Sequence, residues 1–309
     1  MMSEITVAAP ATIANLVCGF DVMGLAINEP CDTFTVKLSN AKGISLKHTD
    51  GFNLPTDNAK NISAVALQAL LDACPDVNGF EVVCHKVIKP GSGIGSSASS
   101  AAGVVVAANY LLNQRFDKKA LVDFALAGEY IASGARHADN IAPCIYGGIT
   151  LIRSHKPLDI IALTPPPLAV TVLHPQIEVR TADARKILKP HVSMQQAITQ
   201  WANVGALVAG ILQSNYELMG RALQDVIVEP MRKILIPQFD TVKDACMQAG
   251  AIGGGISGAG PAMFMLSKTE KEAKQIELAM QHVYNKTDIA YRTHVTSINM
   301  NGVRVISNT

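Results

Sequence analysis

Hydrophobic residues recur along this chain with two spacings, one typical of strands and one typical of helices. β-Branched runs and alternating apolar positions predict strands at 5–8, 33–38, 44–46, 80–88, 169–173, 262–266, 291–298 and 302–306. The first of these is expected to end before Pro10, and the next two to form a hairpin across 31–48. The helical spacing predicts helices over 61–74, 101–112, 118–133, 193–213, 215–227 and 270–284. The mixture predicts an α+β fold.

Polar residues mark the beginnings of several predicted helices. Asn61 and Asp117 each precede an amphipathic stretch, where their side chains can accept hydrogen bonds from the first turn. Thr181 is predicted to be the N-cap of a short helix that ends before Pro190. These signals fix where the helices start more firmly than where they end.

The chain is longer than one hydrophobic core usually supports. With 309 residues, two domains are expected. Prolines at 157 and 165–167 interrupt the pattern between the two halves. We therefore predict one domain over residues 1–163 and a second over residues 164–309.

Composition and charge argue against nucleic acid and membranes as binding partners. The net charge is only +1 and charged residues make up 17% of the chain, so no nucleic-acid partner is expected. The longest apolar stretch, 101–112, is too short to span a bilayer, so no membrane association is expected. The six cysteines show no C-x-x-C pair and the first residues do not resemble a signal sequence. Together these features predict reduced thiols and a cytoplasmic location.

One glycine- and serine-rich stretch stands between a predicted strand and a predicted helix. Glycine allows tight turns and a close backbone approach to a ligand, and serines suit the first turn of a helix. Free backbone N–H groups at a helix start attract anions, which predicts a cradle for phosphate. The stretch comprises Pro90, Gly91, Ser92, Gly93, Ile94, Gly95, Ser96, Ser97, Ala98, Ser99 and Ser100.

Three other interpretations of this stretch can be tested by residue spacing, and two of them remain open. A P-loop is excluded because no lysine follows a glycine here. The dinucleotide pattern G-x-G-x-x-A is met by Gly93, Gly95 and Ala98, although a second helix follows where that pattern needs a strand. The glycines could also serve only to pack the helix against the strand.

Further polar residues interrupt apolar surroundings. Asn15 and Asp21 lie in a turn that they either stabilise or present to a pocket. Glu129 lies in an almost uncharged helical run, where a carboxylate needs a partner. The run from His137 to Asn140 lacks the partners of a zinc site, and no G-x-S-x-G elbow supports a serine hydrolase.

Several of these segments together resemble one family, the GHMP kinases. Residues 93–98 (GIGSSA) are similar to the second family motif, and 253–261 (GGGISGAGP) to the third. The first motif, 9–15 with 19–21, resembles the homoserine kinase branch, where Thr12 replaces the lysine of many relatives. Segments 181–185 and 229–232 resemble the same branch.

The resemblance implies a two-domain GHMP kinase fold: an N-terminal ATP-binding domain like ribosomal protein S5 domain 2 and a ferredoxin-like C-terminal domain. It implies ATP-dependent phosphorylation of the L-homoserine hydroxyl to O-phospho-L-homoserine, a step in threonine biosynthesis. ATP phosphates would be bound by residues 90–100, and Mg²⁺ by Ser97 and Glu129. The expected substrate-binding residues are Asn15, Asp21, His137, Asn140, Thr181, Arg185 and Arg232, and the expected catalytic residues Asn140, His137, Glu129 and Ser97.

One position departs from the mevalonate-type relatives. Asn140 stands where those relatives carry an aspartate proposed as general base, and an amide cannot take the proton. The hydroxyl proton would then pass elsewhere, with the γ-phosphate as one acceptor. A kinase for another small alcohol, a nicotinamide dehydrogenase and an inactive binding protein are the alternative functions. A homodimer is an open option for the assembly.

Overall fold

The computed structural model describes residues 3–308, with the side chains of 132, 133, 182 and 308 outside the description. The strands are β1 (Glu4–Ala14), β2 (Met23–Ser39), β3 (Gly43–His48), β4 (Gly79–His85), β5 (Ile149–His155), β6 (Leu158–Leu163), β7 (Ala169–Pro175), β8 (Gly253–Ile256), β9 (Met263–Ser267), β10 (Tyr291–Ser297) and β11 (Arg304–Asn308). The helices are α1 (Ile62–Asp72), α2 (Ser96–Leu111), α3 (Lys118–Ser133), α4 (Ile141–Tyr146), α5 (Thr181–Lys186), α6 (Met194–Leu212), α7 (Tyr216–Ala222), α8 (Glu229–Arg232), α9 (Phe239–Gln248) and α10 (Glu270–Tyr284). The predicted α+β class is confirmed.

The first sheet contains seven of the described strands. Its order is β11-β1-β2-β4-β3, and β5 joins β6 to the far half of β2. The prediction that the first strand ends before Pro10 is wrong, because β1 continues to Ala14. A shift of register between Pro10 and Thr12 accommodates the proline within the strand.

The predicted hairpin across 31–48 is also wrong. Strand β3 pairs in parallel with β4 and not with β2, so the two strands are separated by β4 within the sheet. Strand β4 pairs antiparallel with the outer half of β2. The mainly antiparallel sheet lacks the successive parallel strands of a dinucleotide-binding domain, which removes that interpretation of the glycine-rich stretch.

The second sheet has the order β10-β7-β9-β8 among the described strands. Helices α9 and α10 cover one face of it, where Met263 and Met265 are buried against them. A shared apolar cluster that includes Ile13, Val170 and Phe264 joins the two sheets. The site described below lies where the two halves of the chain meet.

The last strand departs from the predicted division of the chain. Residues 302–306 were expected to complete the second domain, but β11 pairs antiparallel with β1 in the first sheet. The boundary at 163/164 falls directly after β6. We retain the division into 1–163 and 164–309 as a proposal. Strand β11, at the end of the second segment, then adds to the sheet of the first domain.

The helix starts follow their capping residues with one exception. The side chains of Asn61 and Asp117 accept hydrogen bonds from Ala64 N–H and Ala120 N–H, as predicted. Thr181 is the first residue of α5, and Arg180 occupies the N-cap position, so the predicted N-cap was one residue late. No described helix combines the length and the apolar character that crossing a membrane requires.

Candidate active site

A cavity of about 500 Å³ opens between the two halves of the chain. Most of the predicted site residues line it: Asn15, Asp21, Pro90–Gly93, Gly95–Ser97, Ser100, Glu129, His137, Asn140, Thr181, Arg185 and Arg232. Three predicted residues of the glycine-rich stretch point into the protein interior instead. They are Ile94, Ala98 and Ser99, whose exposed fractions are 2%, 0% and 0%.

The glycine-rich stretch turns in the left-handed backbone region. Gly91, Gly93 and Gly95 have φ of 74°, 84° and 73°, values that favour glycine. Gly95 is the N-cap of α2, which begins at Ser96, five residues earlier than the predicted helical run. The first-turn N–H groups of this 16-residue helix therefore face the cavity region, the arrangement that binds anions.

A second glycine-rich segment packs against the first one. Ser257 Oγ donates a hydrogen bond to Gly93 O at 2.7 Å. A Cβ at Gly93 would approach Gly260 O to 2.7 Å, which leaves no room for a side chain. The third motif of the sequence thus supports the loop from the C-terminal half of the chain.

A buried ion pair contacts the beginning of α2, directly after the loop. Lys86 Nζ and Asp32 Oδ2 form this pair, with exposed residue fractions of 4% and 0%. Lys86 Nζ also donates to Ser96 O at 3.0 Å and to Ser100 Oγ at 2.8 Å, and Asp32 Oδ1 accepts from Val87 N–H and Ile88 N–H. Our sequence interpretation missed this pair. Asp32 lies in β2 and Lys86 directly follows β4, but these strands also carry Lys37 and Glu81, so nothing in the sequence marks the buried pair.

Three charged side chains that line the cavity form a connected set with Phe20. Arg185 Nη1 and Nη2 both donate to the Asp21 carboxylate, at 2.8 to 3.1 Å. The ring of Phe20 contacts two guanidinium groups, with its centroid 5.3 Å from Arg185 Cζ and 4.9 Å from Arg232 Cζ. These distances are those of cation–π contacts.

Arg232 is fixed in this set by hydrogen bonds to two backbone carbonyls. Its side chain is buried, and it donates from Nε to Ala184 O at 2.9 Å and from Nη1 to Gly258 O at 3.0 Å. Within the described part of the chain, its Nη2 makes no hydrogen bond. Burial, followed by the charge of Arg185, lowers the pKa of Arg232 to about 10, so the group stays cationic at neutral pH.

The turn that carries Asp21 adopts an uncommon backbone conformation. Asn15, Leu16 and Val17 have φ of 75°, 42° and 64°, and Asp21 has φ of 62°. Asn15 closes the turn and ties it to the third motif, because its Oδ1 accepts from Asp21 N–H and its Nδ2 donates to Gly258 O. Such strain persists only where surrounding contacts enforce it and is common at ligand sites.

The run from His137 to Asn140 lies between the loop and the charged set. Thr12 Oγ1 donates to Asn140 Oδ1 at 2.8 Å. The amide nitrogen of Asn140 is therefore the atom that can donate a hydrogen bond to a ligand. His137 Nδ1 lies 3.6 Å from Asp21 Oδ1, and its buried Nε2 has no partner among the described residues. Burial lowers the pKa of His137, so the imidazole is neutral at pH 7.

Asp139 also lines the cavity, although it was not among the predicted site residues. Its side chain is buried, and burial, followed by the charges of Asp21 and Glu129, raises its pKa to about 7. Sequence could not indicate this, because an aspartate between Ala138 and Asn140 gives no sign of which neighbours surround it in the fold.

Both predicted magnesium ligands line the cavity. Ser97 in the first turn of α2 and Glu129 in α3 both line the cavity, and their hydroxyl and carboxylate oxygens are hard donors. No group of three or more His, Cys, Asp or Glu suited to a metal occurs among the described residues. Two oxygen ligands with phosphate and water completing the shell fit Mg²⁺ better than a fully protein-bound metal.

Residues 60–148 match the family model for the GHMP kinases N terminal domain, and residues 206–286 match the model for GHMP kinases C terminal. A homoserine kinase of Chloroherpeton thalassium is 45% identical over 298 residues, which cover 92% of this chain and 93% of that relative. The chain belongs to the GHMP kinase family. It is therefore a kinase, with ATP as the phosphoryl donor that this family implies.

Solved structures agree with this membership. The crystal structure of homoserine kinase from Cytophaga hutchinsonii superposes with a TM-score of 0.95 at 44% identity, covering 99% of this chain and 98% of that one. L. major mevalonate kinase, in complex with R-mevalonate, shares the fold with a TM-score of 0.69 at 16% identity, covering 94% of each chain. The predicted GHMP kinase fold is confirmed.

Proposed function

We propose that this GHMP kinase is a homoserine kinase. It transfers the γ-phosphoryl group of ATP to the side-chain hydroxyl of L-homoserine and forms O-phospho-L-homoserine, a step in threonine biosynthesis. The observation that supports this substrate most directly is the set of Asp21, Arg185 and Arg232, which lines the same cavity as the glycine-rich loop. An anionic and a cationic subsite beside a phosphate cradle suit an amino acid that carries a hydroxyl. The homoserine kinase relatives at 40–45% identity support the same assignment.

The cavity-lining part of the glycine-rich stretch, Pro90–Gly93, Gly95–Ser97 and Ser100, is proposed to bind the triphosphate. The left-handed glycines open the loop, and the first turn of α2 contributes backbone N–H groups toward the bound phosphates. A helix N-terminus alone contributes about 0.3–1 kcal/mol to anion binding, so several amides must act together. The Lys86–Asp32 pair holds the start of α2 in place for this purpose.

Ser97 and Glu129 would hold Mg²⁺ when ATP is bound. The ion would neutralise charge on the transferred phosphoryl group. Glu129 approaches from α3 and Ser97 from α2, so the relative position of two helices sets the separation of the ligands.

The amino-acid substrate is proposed to replace the Asp21–Arg185 ion pair with two ion pairs of its own. Asp21 would bind the α-ammonium group, and Arg185 and Arg232 the α-carboxylate, with Thr181 beside them at the cavity wall. In the ligand-free protein Asp21 and Arg185 already neutralise each other. A zwitterionic substrate offers a charged partner to both Asp21 and Arg185, whereas a ligand with one charge leaves one of these two side chains unpaired.

The reacting hydroxyl is proposed to lie near Asn15, His137 and Asn140. The Asn140 amide nitrogen can donate to the hydroxyl oxygen, since Thr12 occupies its carbonyl oxygen. Neutral His137 offers Nε2 for a further hydrogen bond. Asn140 cannot take the proton, so the γ-phosphate is the proposed acceptor. Phosphoryl transfer tolerates this because it depends chiefly on positioning and charge neutralisation.

The two-charge recognition is tested with analogues that keep the hydroxyl. L-Homoserinol lacks the carboxylate and 4-hydroxybutyrate lacks the ammonium group. We expect kcat/KM for each to fall at least about a hundredfold relative to L-homoserine, because a site built for a polar group strongly rejects its absence. An analogue phosphorylated as efficiently as L-homoserine would contradict the subsite that it lacks.

A further inference from the structure

One face of helix α6 carries three carboxamide side chains that bind the segment between α7 and α8. They are Gln196, Gln200 and Asn203. Spacings of four and three residues place these side chains on the same face of the helix. Their hydrogen bonds to backbone groups of 224–226 measure 3.0–3.2 Å. Helix α6 therefore holds the segment that leads into α8, the helix that carries Arg232.

Gln200 also binds a second segment that reaches the cavity. Its Nε2 donates to Cys18 O at 2.8 Å, and its Oε1 accepts from Val226 N–H at 3.1 Å. Cys18 lies in the turn that carries Asp21, whereas Val226 lies shortly before α8. A carboxamide offers a donor and an acceptor at the same end of the side chain. Gln200 thereby joins the segments that carry the proposed ammonium and carboxylate subsites.

The turn that carries Asp21 needs such a contact because its backbone is strained. Val17 has φ of 64°, a left-handed value that is unfavourable for a β-branched residue. Such strain persists only where surrounding contacts enforce it. Gln200 supplies one of these contacts at the carbonyl oxygen of Cys18, directly after Val17. Loss of this hydrogen bond should let the turn relax and displace the Asp21 carboxylate.

The contact on the other side of Gln200 reaches α8 through Asp225. The Asp225 carboxylate accepts hydrogen bonds of 2.8–2.9 Å from the N–H groups of 227–229, where α8 begins. Val226, which Gln200 binds, is the next residue after Asp225. Arg232 is the last residue of the same short helix. A shift of 225–226 should therefore move the backbone that carries Arg232.

The turn and α8 also pack directly against each other. The cavity between them measures only about 10 Å³, and its lining includes Val17 and Phe20 from the turn and Arg232 from α8. Densely packed segments transmit a displacement from one to the other. The relative position of the turn and α8 is thus set by this packing and by the two hydrogen bonds of Gln200.

We propose that Gln200 is a positioning residue for the amino-acid substrate and fixes the separation of Asp21 from Arg232. Gln200 lies outside the cavity lining, so it acts through its two backbone contacts. A substrate whose ammonium and carboxylate groups share one carbon atom needs both subsites at a fixed separation. The identity of this substrate rests on the proposed function, whereas the link between the two segments does not.

Hydrogen–deuterium exchange tests this link without any substrate. Gln200→Met removes the donor and the acceptor at nearly constant volume. We expect faster exchange in peptides that cover 15–23 and 225–232, and unchanged exchange over 90–100. Asn203→Leu, which removes one contact of the same helix to the segment between α7 and α8, is the matched control and should leave 15–23 unchanged. Unchanged exchange at 15–23 in Gln200→Met, or an equal increase there in the control, would overturn the link.

Kinetics with the charge-deleted analogues test the role in substrate recognition. For Gln200→Met we expect the KM for L-homoserine to rise about tenfold and the KM for ATP to stay within about twofold. The preference in kcat/KM for L-homoserine over both 4-hydroxybutyrate and L-homoserinol should fall about tenfold. Gln200→Glu keeps an acceptor for Val226 N–H but places a second oxygen against Cys18 O. It should lose the preference over 4-hydroxybutyrate and retain the preference over L-homoserinol.

The parent chain separates this role from the proposed function. A parent that phosphorylates no L-homoserine contradicts the proposed function and with it the substrate role of Gln200, while the exchange measurement still decides the link between the segments. A parent that phosphorylates L-homoserine, with Gln200→Met retaining its KM and both preferences, overturns the role of Gln200 alone. A lower kcat with both KM values and both preferences unchanged also overturns it, because that result indicates only a general structural defect.

Discussion

Phe20 contacts both guanidinium groups of the proposed carboxylate subsite. Its ring centroid lies about 5 Å from Arg185 Cζ and from Arg232 Cζ, so each cation gains from the aromatic ring. Arg232 is fixed by two backbone carbonyls, whereas Arg185 depends on Asp21 and this ring. Phe20 is therefore a positioning residue for both arginines.

Replacing Phe20 by leucine should weaken the amino-acid subsite without affecting the nucleotide. Cation–π contacts contribute about 0.5–2 kcal/mol each, so we expect the KM for L-homoserine to rise about tenfold. The KM for ATP should stay within about twofold, and Phe20→Tyr should retain most of the parent value. Phe116→Leu, which removes an aromatic pair with Phe124 away from the cavity, is the matched control. Equal changes in both KM values after Phe20→Leu would contradict this role.

Sequence could predict most of the proposed ligand contacts at this scale. Asp21, Arg185 and Arg232 were found because each lies in a segment that resembles a family motif. Phe20 and Asp139 were missed, because a ring in contact with two arginines and a carboxylate buried beside other carboxylates arise only when distant segments meet. The motif supplies the residue type, and tertiary packing supplies its charge state and its neighbours.

At the scale of the elements, the loop before α2 requires glycine at one position more than at another. An alanine at Gly95 would overlap Thr12 Oγ1 and come within 3.2 Å of Asn140 Oδ1, in a backbone with φ of 73°. An alanine at Gly91 would have a similar φ of 74° but meet nothing within 4 Å. The two positions therefore separate backbone strain from steric overlap.

Gly95→Ala should lower kcat/KM at least tenfold, since it displaces Thr12 and with it Asn140. Gly91→Ala should show mainly the strain of a left-handed residue, about 1 kcal/mol of unfolding free energy. Steady-state kinetics and urea denaturation of both variants provide the measurement. Similar activity losses in the two variants would show that strain alone matters and that the Thr12–Asn140 contact does not.

The Lys86–Asp32 pair makes a testable contribution to the same element. Removing one member of a buried pair leaves the other charge uncompensated and costs about 3–5 kcal/mol. We expect Lys86→Met to lower the unfolding free energy by that amount. The double variant Lys86→Met/Asp32→Asn should be less destabilised than the single one, as chemical denaturation can measure. A double variant destabilised by the sum of the two single changes would contradict direct coupling.

Local signals predicted the helices better than the strand pairing. Asn61 and Asp117 were located correctly because a cap depends on residues three positions away. The pairing of β3 with β4 depends on a helix and a loop between them, which alternation cannot reveal. Pro10 was taken as a strand end, whereas the irregular register beside it lets β1 continue.

At the scale of the whole molecule, several contacts tie the two halves together around the cavity. Strand β11 returns to β1, and Ile27 and Ile298 form a bridge between the sheets. Asn15 and Gly258 connect the substrate turn to the third motif. The sequence predicted two domains from length and prolines but could not show this return of the chain, because a terminal strand carries no mark of its distant partner.

Acid should destabilise the second sheet through His174 in β7. Its side chain is buried, Nε2 has no partner among the described residues, and burial, followed by the charge of Lys89, lowers its pKa from 6.5 to about 4. The unfolded chain takes up the proton first, so stability is complete above pH 6.5 and falls as the pH drops toward 4. The loss amounts to about 1–3 kcal/mol.

His174→Leu should remove this part of the pH dependence. Urea denaturation at pH 7.5 and pH 4.5 gives the unfolding free energies, and the parent chain should lose more stability between them than the variant. His282→Gln, at an exposed histidine of α10, should behave as the parent. An identical pH dependence in the His174→Leu variant would contradict a buried neutral imidazole.

The central claim is the substrate, and the most direct measurement is ADP release with ATP, Mg²⁺ and a panel of alcohols. The panel contains L-homoserine, L-serine, mevalonate and galactose. We predict turnover confined to L-homoserine, with O-phospho-L-homoserine identified as the product by mass spectrometry. Turnover of mevalonate or galactose with none of L-homoserine would keep the phosphate loop but contradict the pocket formed by Asp21, Arg185 and Arg232.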